Sequence, residues 1–184
     1  MNSSNFYNYK TNRELNKKLC SLIVKRINKS IKKTGFCSIA LSGGYSPLSL
    51  YRNLSKQEIN WNKVCLSLVD ERCVKVDNEN SNERNILKAF SLSREDFKEF
   101  LSFKFKKMNG SFTLLEETVL APFPFNFVLL GMGKDGHFAS VFPNLKNTDF
   151  LLDTSHDKGI SLIKSVEEVP YRATFTLKTI LNSE

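Results

Sequence analysis

No stretch of this 184-residue chain is apolar for long enough to cross a bilayer, which takes about 20 such residues in a row. No CxxC pair occurs among its four cysteines, Cys20, Cys37, Cys65 and Cys73. The two histidines, His137 and His156, stand at no ligand spacing from them, so no familiar zinc pattern is present and no metal is expected. Cys37 and Cys65 fall inside apolar strand candidates, where a reduced thiol behaves as a small hydrophobe. A dense basic block is also missing. The net charge of +8 comes from 27 basic and 19 acidic side chains, which cluster only as pairs such as Lys17-Lys18, Lys32-Lys33 and Lys106-Lys107. That scatter reads as a solvated surface able to attract small anions, and neither nucleic acid nor membrane is expected as a partner.

No internal repeat, low-complexity block or Pro/Gly/Ser linker divides the chain, and 41% apolar residues are too many for a disordered one. One globular domain is expected. The polar opening Met1-Asn2-Ser3-Ser4-Asn5 argues against a secretory signal, and a soluble cytoplasmic protein is expected.

Helical spacing predicts a first helix over roughly Asn12 to Lys33, with Leu15, Leu19, Leu22, Ile23, Ile27 and Ile31 on one stripe and Gly35 as its stop. Phe36 to Leu41 reads as a buried strand. Ser46 as N-cap and Pro47 at the first helical position open a second helix carrying Leu48, Tyr51 and Leu54. Val64 to Val69 reads as another strand, Ser81-Asn82 as the start of a helix to about Phe90, and Ser93 as the start of one to about Phe103. Phe125 to Leu130 is the strongest strand signal. Strands alternating with helices predict an α/β fold with a mostly parallel sheet and helices on both faces. Three strand ends then carry the unusual residues: Ser42-Gly43-Gly44, Asp70-Glu71-Arg72 and Gly131 to His137. Ligands of open α/β sheets bind beyond such ends.

Ser42-Gly43-Gly44-Tyr45-Ser46-Pro47 is either a phosphate cradle at a helix start or simply a tight turn that needs glycine. Gly131-Met132-Gly133-Lys134-Asp135-Gly136 matches the GxGxxG dinucleotide pattern formally. However, Pro143 would cut its helix short, and the acidic residue about 20 positions on could only be Asp153. No Gly-Lys-Ser/Thr follows, so it is no Walker loop either. His137 lies two residues after Asp135 and either takes a proton from water or caps a short helix. Asp70 and Arg72 point the same way if the strand continues, as an anion clamp with a carboxylate beside it or as a surface ion pair. Arg172, after Val169-Pro170-Tyr171, is a further candidate.

In this order the segments resemble the 6-phosphogluconolactonase family, which shares a superfamily with glucosamine-6-phosphate deaminases. The resemblance rests on Leu41-Ser42-Gly43-Gly44 with Ser46-Pro47 and Leu50-Tyr51, on Asp70-Glu71-Arg72 with Ser81-Asn82, on Leu130 through Pro143, and on Pro170-Tyr171-Arg172-Ala173-Thr174. Deaminases typically read Asp-Glu-Tyr where this chain has Asp70-Glu71-Arg72. They also follow the Gly-His step with isoleucine and Asn-Glu-Pro, where this chain has Phe138-Ala139-Ser140-Val141-Phe142-Pro143. The family often has Pro and His where Lys75 and Asn78 stand, and Asp at the place of Asn126.

The resemblance implies a three-layer, Rossmann-like (NagB-like) α/β/α domain over residues 1–184, without the further strand and helix with which family members usually close. It implies hydrolysis of 6-phospho-D-glucono-1,5-lactone, a step of the oxidative pentose phosphate pathway, with no cofactor and by a monomer or weak homodimer. His137 would be the general base, with Asp135 or Asp70 orienting it. Ser42, Gly43, Gly44, Arg72, Gly133, Lys134 and Arg172 would hold the substrate, chiefly its phosphate. The rival readings are a glucosamine-6-phosphate deaminase or isomerase and a non-catalytic sugar-phosphate sensor.

Overall fold

The computed structural model describes residues 5–115 and 124–184. The opening Met1 to Ser4, used above against a secretory signal, lies outside them. In chain order the elements begin with α1 (Asn12–Thr34), β1 (Cys37–Leu41), α2 (Leu48–Leu54), β2 (Val64–Leu68), β3 (Asp70–Arg72) and α3 (Asn82–Phe90). There follow β4 (Glu99–Leu101), β5 (Phe105–Met108), β6 (Ser111–Leu114), β7 (Phe127–Leu129), α4 (Thr148–Leu152), β8 (Ile160–Lys164), β9 (Tyr171–Phe175) and α5 (Leu177–Leu181).

The central sheet is parallel and runs β4-β2-β1-β7, so the expected α/β architecture is present. From β1 the chain moves outward through β2 to β4, then returns to lay β7 on the other side of β1. That reversal makes a switch point between the ends of β1 and β7, where an open sheet leaves a crevice. All five residues of β1 and of β2 are buried, as strands covered on both faces require. Helices α1, α2 and α3 pack side by side in sequence order. Each large aliphatic side chain in this core, such as Ile27, Ile39, Leu50 and Leu66, contributes about 1.5–3 kcal/mol on burial.

Four local expectations need correction. The inward stripe of α1 is Cys20, Ile23, Ile27 and Ser30, while Leu15 and Leu22 are exposed. The leucines suggested a stripe rotated around the helix from the one the sheet covers. Helix α2 begins at Leu48 behind Pro47, with no side-chain cap. Residues 45–47 form a turn instead, closed by the Leu48 N–H donating to the Tyr45 carbonyl. The segment from Ser93 makes only one helical turn, Arg94–Asp96, under a Ser93/Asp96 capping box, and then extends as β4 beside β2. Phe97, Phe100 and Phe103 mimic helical spacing, but pairing with β2 satisfies more backbone. Strand β7 covers only Phe127–Leu129 of the run from Phe125 to Leu130; just before it, Asn126 is tied to β1 by its N–H donating to the Ser38 carbonyl (2.7 Å) and by its side-chain oxygen accepting from Ser38 N–H (2.9 Å).

Two units fell outside the sequence reading. One is the β5-β6 hairpin, and the other is an antiparallel sheet ordered β3-β9-β8. The second matters most, because it takes Asp70-Glu71-Arg72 off the parallel sheet and pairs Arg72 with Arg172 across β9. Side chains alternate along β3. Asp70 and Arg72 line a common cleft, and Glu71 turns to the start of α3. There its carboxylate accepts from the N–H groups of Asn82 (2.7 Å) and Glu83 (2.8 Å) and from the Ser81 hydroxyl (3.0 Å). Burial pushes the Glu71 carboxyl up to about 7, against the pull of the Glu83, Asn82 and Arg72 N–H groups toward its charged form.

Glu71→Ala strands several buried donors and is expected to cost about 1–3 kcal/mol. Thermal unfolding reads this as a Tm lower by several degrees, and an unchanged Tm would contradict the anchoring role. Burial also pushes the thiols of Cys37 and Cys65 up to about 11 and that of Cys73 to about 12, and all four cysteines are free and buried. A thiol reagent at pH 8 should therefore label the native protein far more slowly than the denatured one. Four rapidly reacting thiols in the native state would overturn this packing.

Candidate active site

A cleft of about 290 Å³ opens at the switch point, lined by residues 42–47 after β1, residues 131–133 after β7, and side chains of β3, α3, β9 and the β8–β9 connection. Ser42 ties its two walls together. Its N–H donates to the Leu129 carbonyl (3.0 Å), and its carbonyl accepts from the buried Tyr51 hydroxyl (2.6 Å).

On the anion-binding side, the side chain of Asn82 is the brace. It donates to the Asp70 carbonyl (2.9 Å) and carboxylate (3.2 Å), and its oxygen accepts from the Arg72 guanidinium (2.6 Å). Gly43 makes room for this: a Cβ there would sit 2.0 Å from the Asn82 amide oxygen. Space therefore demands the glycine, since any side chain would push Asn82 off both partners. Arg72 donates otherwise to the Asn80 carbonyl, so both of these acceptors are neutral.

Arg172, facing Arg72 across the ladder, is 4% exposed. It pairs with Glu167 and lies 3.9 Å from the Asp70 carboxylate, while its Nε–H has no partner among the described residues. Burial, and then the neighbouring Arg72, hold its guanidinium below its ordinary value. An unsatisfied buried donor bordering a cleft is a place where a ligand oxygen gains a hydrogen bond.

The proton-transfer side is a glycine turn, not a helix start. The Gly133 N–H donates to the His137 carbonyl (2.8 Å), which folds residues 133–137 into a tight loop. A Cβ on Gly133 would fall 2.3 Å from the His137 ring, so this glycine too is a matter of space. Asp135 accepts from His137 Nδ1 at 2.6 Å. Hydrogen bonds from His137 hold the Asp135 carboxyl below the usual range, against the opposing push of desolvation. A carboxylate on Nδ1 selects the tautomer with its proton there, leaving Nε2 as the basic nitrogen.

The two sides meet over Phe142. Its ring centroid is 4.5 Å from that of His137 and 5.4 Å from the Arg172 guanidinium carbon. Imidazole and guanidinium thus border one cleft within the span of a single sugar phosphate.

Of the residues singled out from the sequence, Ser42, Gly43, Gly44, Asp70, Arg72, Gly133, His137 and Arg172 all line the cleft. Lys134 does not; it is exposed and lies outside the lining. Asp135 is also outside the lining and reaches the site only through His137. Asp70 is no partner of His137. Its carboxylate accepts from the Ser140 hydroxyl (2.6 Å) and from Asn82, and faces Arg172. Sequence reasoning missed Asn82 as more than a helix opener, along with Phe142 and Glu167. Asn82 and Phe142 stand inside recognised motifs, so their position was visible but not their work. Glu167 carried no signal. His156 is spent elsewhere, stacked on Phe150 with Nε2 on the Phe150 carbonyl. Among the described residues no group of three or more His, Cys, Asp or Glu could hold a metal ion.

The family model for glucosamine-6-phosphate isomerases/6-phosphogluconolactonase matches residues 10–184. A 6-phosphogluconolactonase from Rhizobium meliloti is 30% identical over 182 residues, covering 97% of this chain and 78% of the relative. One from Mesorhizobium japonicum is 31% identical, covering 90% of this chain and 71% of the relative. The crystal structure of a 6-phosphogluconolactonase from Shewanella baltica superposes with a TM-score of 0.82 at 29% identity, covering 96% of this chain and 76% of that one. The match of the family model over residues 10–184, with relatives 30% and 31% identical along most of their length, shows that the chain belongs to the 6-phosphogluconolactonase family.

Proposed function

We propose that this protein hydrolyses 6-phospho-D-glucono-1,5-lactone to 6-phosphogluconate. One observation carries the reading: an imidazole oriented by a carboxylate borders the same small cleft as two guanidinium groups, with one aromatic ring between them. The names of the relatives agree with it.

In this reading the sugar's phosphate lies against Arg72, Arg172 and the glycine turn at residues 42–44, and its lactone carbonyl lies toward His137. Nε2 of His137 takes a proton from water as the water oxygen bonds to the carbonyl carbon. Charge gathers on the carbonyl oxygen, where backbone N–H groups of the 133–136 turn are the nearby donors. As the tetrahedral centre collapses, the bond to the ring oxygen breaks and the imidazolium returns the proton to it. The product is an open-chain acid that retains its phosphate. Asp135 holds the ring and stabilises its charged form. Asp70 orders the Arg172 and Asn82 side of the cleft and does not orient the base.

General-base catalysis supplies about 10²–10⁴-fold, enough for an activated ester that already hydrolyses slowly in water. His137→Asn should lower kcat by about that factor, measured in a dehydrogenase-coupled assay corrected for spontaneous hydrolysis. Near-wild-type turnover would remove His137 from the role. Arg72→Ala should raise KM about tenfold or more with a smaller effect on kcat, because a charge-assisted clamp acts on the bound phosphate. An unchanged KM would take Arg72 out of the phosphate site.

A further inference from the structure

We infer that Glu167 is a built-in competitor for the anion site: its carboxylate occupies Arg172, and a phosphate dianion enters by displacing it. The inference rests on the reading of this cleft as a sugar-phosphate site and adds how that site selects its ligand.

Glu167 lines the cleft with the two arginines and pairs directly with Arg172. The partners are unequal in mobility, since the Arg172 side chain is 5% exposed and that of Glu167 43%. Arg172 is fixed by β9 and by its place beside Asp70 and Phe142. Glu167 sits on the connection between β8 and β9. Ser165 N–H donating to the Pro170 carbonyl (2.8 Å) clamps the base of that connection, and Glu167 N–H rests on the Ser165 hydroxyl (3.3 Å). The carboxylate can therefore swing to solvent without breaking the ladder.

The charges make the exchange selective. With Glu167 in place, Arg72 and Arg172 are balanced by Asp70 and Glu167, so these four side chains leave the cleft without net charge. A neutral sugar gains nothing by dislodging the carboxylate. A singly charged ligand only replaces like with like. A phosphate monoester brings about two negative charges and three acceptor oxygens. It can satisfy the Arg172 guanidinium that Glu167 leaves, together with Arg72, whose acceptors are neutral. Glu167 thus sets a threshold that a phosphate dianion passes and a singly charged anion does not, while an unphosphorylated sugar, which makes no use of Arg172, is unaffected by it.

The test compares Glu167→Gln with Glu168→Gln, which removes the same charge one residue away at an exposed position outside the cleft. Inorganic phosphate is titrated by calorimetry into wild type and both variants at one fixed ionic strength. The Kd of Glu167→Gln should fall roughly three- to tenfold, the range of a half-exposed ion pair released from competition, while Glu168→Gln stays within about twofold of wild type. In the hydrolysis assay KM for the phosphorylated lactone should fall in step, and that for unphosphorylated glucono-1,5-lactone should not. Equal tightening by both variants, unchanged or weaker phosphate binding by Glu167→Gln, or no phosphate binding by any of the three overturns the proposal. If the wild type turns over no lactone yet the calorimetric difference appears, the hydrolase reading fails and the role of Glu167 stands.

Discussion

The cleft depends on the place where three consecutive residues leave the parallel sheet. After Leu68 the chain steps across to pair antiparallel with β9, and the two-residue alternation of a strand divides Asp70, Glu71 and Arg72 between two faces. Glu71 goes inward to the free N–H groups at the start of α3. Its neighbours go to the cleft. Any slip of register by one residue would exchange these faces, sending the anchoring carboxylate into the site and the guanidinium into the core. Pairing with β9 forbids that slip, and it also sets Arg172 directly opposite Arg72.

From this anchor the rest follows by contact. Asn82, the first residue of α3, is held at its backbone by Glu71, so its side chain reaches Asp70 and Arg72 while Gly43 leaves it space. Two arginines side by side repel, and the cost is met locally by Asp70 and Glu167 on one and by neutral oxygens on the other. The histidine turn is built separately after β7, with Gly133 beneath the ring and Asp135 beside it. Phe142 joins the two halves, touching imidazole and guanidinium alike. Such sharing fixes their spacing through packing, which tolerates little displacement.

Much of this was readable from the chain. The alternation of apolar runs and helical stripes gave the parallel core, and glycine-rich strand ends pointed to the switch point. Local spacing was less reliable where two structures use one pattern. Phe97, Phe100 and Phe103 fit a helix by period, yet β2 offered an open edge, and pairing overrode the stripe. Likewise, Leu15 and Leu22 fit the α1 stripe, but the face chosen by the sheet is that of Cys20, Ile23 and Ile27. The antiparallel β3-β9-β8 unit was invisible because β3 has only three residues and pairs with β9 about a hundred residues further along the chain, so no local period encodes that pairing. For the same reason the choice between Asp135 and Asp70 as the partner of His137 stayed open in the sequence; the fold gives Asp135 to the imidazole and Asp70 to Ser140 and Arg172. Glu167 was missed because a glutamate in a polar loop looks like any solvated charge until the fold lays it against a buried arginine.

The central claim is that proton acceptor and anion clamp serve one bound molecule. A ¹H–¹⁵N NMR titration with 6-phosphogluconate, following the His137 ring and the Arg72 and Arg172 side-chain signals together, tests it most directly. The account predicts that all three move and saturate along one binding curve. Guanidinium signals that shift while the His137 ring stays unchanged, or that saturate at a different concentration, would contradict it.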